Sequence, residues 1–180
     1  EIQGRDTEMG KVLTLDASIA TAWRNLGIAY FNIGRSPGRA RAAYEKAFAA
    51  DRSDARVLYE RDQLWKRIGV SPKARLRELE KYRELVSLRD DLTIELSRLY
   101  NLAGQHERAR ILLAGRHFQP WEGGEGLVLE QHVQTHMSLG KRALAEGNGT
   151  AALAYFKAAL EAPENLGEAK HLLVNQAYIF

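Results

Sequence analysis

Four glutamates form the pattern in this chain whose residue types best suit chemistry. Glu122 and Glu125 lie in His117-Phe118-Gln119-Pro120-Trp121-Glu122-Gly123-Gly124-Glu125-Gly126, and Glu164 and Glu168 in Pro163-Glu164-Asn165-Leu166-Gly167-Glu168-Ala169-Lys170-His171. Gly124-Glu125-Gly126 is echoed by Gly167-Glu168-Ala169, each with a second Glu just upstream. Both segments follow what reads as the second helix of a hairpin, which puts them on one edge of a helical stack. That rim would gather the four acids near His117, Trp121, Asn165, Lys170 and His171. Carboxylates beside an aromatic plate suit a sugar: the acids move protons or bind hydroxyls, and the ring stacks. The same acids also suit the first turn of a helix, where a carboxylate meets unpaired backbone N–H groups.

His132 and His136 are four apart and share a helix face. Two imidazoles at that spacing bind zinc only with a third ligand, and the Glu of the metalloprotease motif is missing. His136 also falls at a packing position, so no metal is expected. No Ser-His-Asp order, phosphate-cradling glycine loop or Cys-His pair stands out. The chain is therefore read as non-catalytic and without a cofactor.

The elements that would position these residues are helical. The chain has 180 residues, 45% hydrophobic and 27% charged, enough to build a core. Its net charge of +3 is not the concentrated basic stripe that nucleic acid calls for. It has no cysteine, which excludes disulfides and thiolate metal sites. No apolar run approaches the roughly 20 residues of a membrane span and no signal peptide is visible, so no membrane partner is expected. A cytoplasmic setting is the working expectation. The sequence starts at Glu1 and stops at Phe180 inside an apolar helical pattern, and so reads as a piece of a longer protein.

Trp23-x-x-Leu26-Gly27-x-x-Tyr30-x-x-x-Gly34 reads as a helix and a turn, and Ser36-Pro37 starts a second helix through Ala40, Tyr44 and Ala47. The unit recurs. Met9, Val12, Leu13 and Leu15 within 1–16 read as the end of a preceding repeat, and the first repeat covers 18–51. A degenerate second covers 53–88, with Ser53 as cap, Arg61-Asp62 in place of Leu-Gly, Trp65 in place of Tyr, and a Pro72-initiated helix through Leu76, Leu79, Tyr82, Leu85 and Val86. A third covers 90–114. The glycine-rich segment 115–126 forbids regular helix, a fourth repeat covers 127–162, and 164–180 begins a fifth.

This pattern resembles the tetratricopeptide repeat (TPR). The resemblance implies an all-α fold, a right-handed solenoid of antiparallel helix hairpins, because one such unit cannot bury its own apolar face. It also implies a concave groove lined by first-helix side chains: Thr21, Arg24, Ile28, Phe31 and Asn32, then Arg56, Tyr59, Gln63, Lys66 and Arg67, then Asp91, Ile94, Arg98 and Asn101, then Gln134, Met137 and Lys141. Cations among aromatics suit an extended acidic or amphipathic peptide. Asp91 and Glu95 stand where the family's carboxylate clamp wants cations, which argues against chaperone tails. More narrowly, the two echoed segments look like the C-terminal TPR region of large bacterial proteins with an N-terminal β-rich domain of unknown function. That likeness implies a helical tail that holds a protein, a peptide or the upstream β-rich domain, or whose rim completes a glycan site with that domain.

Overall fold

The computed structural model describes residues 19–169. The repeat end expected in 1–16 and most of 164–180, including Lys170 and His171, lie outside the described residues. Those described form nine α-helices and one short 3-10 turn, with no strand among them. No helix among them is long and apolar enough to cross a membrane. The chain divides into two compact units between Ser71 and Pro72, inside the segment read as the second repeat.

The first unit holds α1 (Ala20–Asn32), α2 (Pro37–Ala50) and α3 (Ala55–Arg67). Helix α1 packs on α2, and α2 on α3. Gly27 makes the first contact possible, because a Cβ there would lie 2.7 Å from the Tyr44 ring. Pro37 opens α2, where its missing N–H costs nothing. Asp54 caps α3, accepting from the N–H groups of Arg56 (2.8 Å) and Val57 (3.0 Å). Ser53, the expected cap, instead donates to Asp51. Two adjacent residues with cap-forming side chains are equivalent by sequence, and the approach of the chain decides between them.

Arg61 and Asp62 replace Leu-Gly and are nonetheless buried. The Arg61 guanidinium lies 4.2 Å from the Phe48 ring centroid and 4.9 Å from that of Trp65, and pairs with Glu45 at 3.2 Å. Trp65 Nε1 donates to the same carboxylate at 3.0 Å. The planar, weakly hydrated guanidinium thus substitutes for an apolar filler.

The second unit holds α4 (Pro72–Lys81), α5 (Arg83–Ser87), α6 (Asp90–Leu102), α7 (His106–Ala114), α8 (Leu127–Ala145) and α9 (Gly149–Ala159), then the turn Glu164–Leu166. The helix expected to run from Pro72 through Val86 breaks at Tyr82, which leaves helical geometry (φ −116°, ψ 39°). A buried Arg75–Glu95 ion pair of 2.6 Å ties α4 to α6. Helix α6 is buried along most of its length and contacts both α7 and α8. Gly140 on α8 admits the ring of Phe156 on α9 into space a Cβ would fill. A core cluster of Ile94, Leu113, Phe118, Val128, Leu129, Val133 and Leu166 joins three helices to the 115–126 segment and the turn.

Candidate functional site

The first-unit groove is a cavity of about 360 Å³. Its lining includes six of the ten groove residues read from that unit: Ile28, Phe31 and Asn32 from α1, and Tyr59, Gln63 and Arg67 from α3. Tyr44, Glu60 and Leu64 complete it. The α1 and α3 residues follow helical spacing, so one face of each helix turns toward the cavity.

Glu60 organises the floor, and the sequence reading passed over it. Arg24 donates to its two carboxylate oxygens, both at 2.5 Å, from Nε and Nη2. Arg56 adds 3.1 Å from one turn earlier, and the Tyr44 hydroxyl donates at 3.2 Å. Burial opposes the charge, but Arg24 and Arg56 outweigh it and hold the carboxyl below the usual carboxylate range. Burial, with the neighbouring Glu60 charge, pushes the Tyr44 phenol up to about 12. Arg24 and Arg56 therefore bind Glu60 within the unit. The i,i+4 spacing of Arg56 and Glu60 was the available signal.

Arg67 behaves differently. Its guanidinium lies 5.7 Å from the Phe31 ring centroid, and it makes no ion pair among the described residues. Lys66 is exposed and does not line the cavity.

Of the groove residues expected from the second unit, several are engaged within it. Asn101 is 5% exposed, a correction to its placement on an open face. Its amide donates to Gln131 Oε1 (3.2 Å) and Thr135 Oγ1 (2.9 Å), bridging α6 to α8. Arg98 pairs with Glu130 at 3.1 Å. Met137 packs against the core cluster, and Lys141 is exposed.

The glycine-rich segment and the turn meet in a second cavity of about 510 Å³. Trp121, Glu122, Glu125 and Glu168 line it, with Pro120, Gly124, Gly167 and Ala169. Glu122 and Glu125 are exposed, and Trp121 is half-buried with its indole over Gly124. Glu168 serves a different end: its Oε2 accepts from Leu129 N–H at 2.9 Å, at the start of α8. Burial and the nearby Glu125 charge raise its pKa against the pull of the backbone donors. Asn165 is also structural, donating to the carbonyls of Leu113 (3.0 Å) and Arg116 (2.8 Å). His117 and Glu164 are exposed and do not line this cavity. Asp90, which the sequence reading did not single out, accepts from Arg116 and from Gln119 N–H, so it too fixes the segment.

His132 and His136 border a third cavity of about 290 Å³, with ring centroids 4.3 Å apart. His132 Nε2 lies 2.9 Å from the Ala158 carbonyl oxygen, and His136 Nδ1 lies 2.9 Å from that of His132. Burial and the neighbouring His136 lower the His132 pKa to about 4. Each ring thus has one nitrogen paired with a backbone carbonyl. No group of three or more potential metal ligands occurs among the described residues.

No protein-family model matches the sequence. The chain is similar to the crystal structure of MamA, with a TM-score of 0.54 and 22% identity over 88% of this chain and 86% of that one. A second MamA structure gives a TM-score of 0.55 at 22% identity, covering 88% of this chain and 81% of that one. YrrB, described as "a TPR protein with an unusual peptide-binding site", gives a TM-score of 0.57 at 20% identity over 99% of this chain and 84% of that one. At these identities the likeness establishes the fold: the chain is all-α and has the fold of tetratricopeptide-repeat proteins.

Proposed function

We propose that the chain is a non-catalytic interaction scaffold that holds a protein or peptide segment in the first-unit groove. The carrying observation is the cavity between α1 and α3, where apolar walls, two amides and one guanidinium with no ion-pair partner among the described residues converge. That mixture suits a peptide, whose backbone needs hydrogen-bond partners and whose side chains need pockets. The peptide-binding site named for the structurally similar YrrB supports the same class of partner. The test is a phage-displayed library of short random peptides selected on the full chain. Selected peptides are expected to lose about tenfold in affinity, equivalent to about 1.4 kcal/mol, on Phe31→Ala and on Arg67→Glu. Enrichment of nothing, or of peptides indifferent to both changes, overturns the groove reading.

A second reading is favoured by one observation, the cavity that Trp121 shares with the exposed carboxylates of Glu122 and Glu125. On this reading the rim contributes to a glycan site completed by an upstream β-rich domain of a longer protein. Stacking falls to Trp121 and hydroxyl contacts to the two acids, while Glu168 stays engaged at the start of α8. Glycan-array binding by the longer protein should fall on Glu122→Gln with Glu125→Gln. Unchanged binding sinks this version.

A further inference from the structure

We propose that the first-unit groove selects an extended segment carrying a large apolar side chain and a carboxylate two residues apart. The apolar group would enter the slot walled by Ile28, Phe31 and Tyr59, and the carboxylate would meet Arg67. This rests on the groove being a peptide site and adds what the peptide should look like.

The charges of the groove decide the sign of the partner. Glu60 is the acid in the lining, but four hydrogen bonds from Arg24, Arg56 and Tyr44 occupy it. Those bonds hold it ionised and matched to cations of its own unit, so it offers little to a basic residue. Arg67 is the cation in the lining and pairs with no acid among the described residues. A guanidinium in that position presents a planar fork that fits a carboxylate with two parallel hydrogen bonds. Arg67 is exposed, so its guanidinium is open to an incoming carboxylate, and it lies near the Phe31 ring.

Spacing follows from the same contact. The Arg67 guanidinium carbon is 5.7 Å from the Phe31 centroid, so the charge stands beside the apolar wall. In an extended chain, side chains two residues apart point the same way and are separated by about 6.6–6.8 Å. Adjacent residues point to opposite faces and cannot use both features. Asn32 and Gln63 suit the stretch between. Each primary amide offers a donor and an acceptor, the complement of a peptide unit. Among the described residues, the Gln63 amide makes a long 3.5 Å contact to Asp62 Oδ2.

The experiment compares selections from one random peptide library on the full-length chain and on its Arg67→Glu and Phe31→Ala variants. Circular dichroism checks that both variants are folded. The wild type should enrich an apolar residue and Asp or Glu two positions apart. Arg67→Glu should replace the acid by Lys or Arg and keep the apolar residue. Phe31→Ala should relax the apolar position and keep the acid. Synthetic peptides with the acid changed to its amide should bind the wild type about tenfold more weakly. Peptides that depend on Phe31 but show no acidic preference, or no switch with Arg67→Glu, overturn this inference and leave the groove reading standing. No enrichment at all overturns both.

Discussion

Replacing His132 by Gln should remove the share of the second unit's pH dependence that its most buried imidazole carries. His132 is 5% exposed, and its pKa falls from 6.5 to about 4. Burial is the largest cause, and the His136 ring 4.3 Å away adds to it. Backbone carbonyls at Ala158 and Glu161 pull the other way. Burial also lowers the pKa of His136, against its hydrogen bond to the His132 carbonyl, while Arg110 opposes protonation and Glu107 favours it. Between about pH 4 and 6.5 the unfolded chain holds this proton and the folded chain does not. Stability therefore rises with pH across that window and is lost as pH falls through it. A pKa lowered from 6.5 to about 4 is worth about 3 kcal/mol. Amide exchange of α8 reads the stability of the second unit by itself, and the imidazole Cε1 proton reports the pKa directly by NMR. The wild type should lose nearly one proton's worth more stability than His132→Gln between pH 6.5 and 4, because the amide keeps a donor for the Ala158 carbonyl but does not titrate. A native His132 pKa at or above 6.5, or parallel pH profiles for the two proteins, refutes the reasoning.

Gly140→Ala should cost about 1–3 kcal/mol by urea unfolding, because its methyl meets the Phe156 ring rather than empty space; an unchanged midpoint would show that the helices separate freely. Glu168→Ala should destabilise the start of α8 by about 1 kcal/mol, seen as faster exchange of the Leu129 amide, since it removes that acceptor. Glu168→Gln should be milder at neutral pH, because it keeps an oxygen and drops a charge that burial disfavours; equal loss from both would count against the capping role. Glu60→Gln should lower the stability of the first unit by about 1.5–3 kcal/mol, as Arg24 loses a charged partner at a carboxylate only 19% exposed. Thermal unfolding indistinguishable from wild type would mean that solvent satisfies Arg24 equally well.

What could be read from the sequence was what neighbouring residues decide among themselves. Leu26-Gly27 and Leu139-Gly140 announce close helix approach because only glycine leaves room for the Tyr44 and Phe156 rings. Pro37 and Pro72 announce helix starts because proline tolerates no earlier turn. Residues whose roles depend on distant partners were harder to read. Asn101 occupies a groove register, yet Gln131 and Thr135 from another helix enclose it. Arg61 breaks the repeat signature, yet Phe48, Trp65 and Glu45 give it a buried place. Glu60 is one charge among many in α3 until Arg24 of α1 reaches it.

The echoed glutamate segments have a physical explanation in their mutual contact. Phe118 N–H donates to the Asn165 carbonyl at 2.8 Å, and the Asn165 amide returns two bonds to the end of α7 and the residue after its C-cap. Gly167, at φ +68°, lies so close to the Phe118 carbonyl that a Cβ would collide with it. One residue later, Glu168 reaches the start of α8. The turn thus bonds both the end of the helix before the glycine-rich segment and the beginning of the helix after it, and Leu166 and Phe118 share the core between. Each change of direction falls on a left-handed glycine, Gly123, Gly126 or Gly167. In the second motif, Glu168 and Asn165 act as structural partners. In the first, Glu122 and Glu125 remain exposed at the cavity edge. The same Gly-Glu wording therefore carries two roles. Any ligand chemistry at this rim rests on Trp121, Glu122 and Glu125, and substitutions at Glu168 would report on folding before they reported on binding.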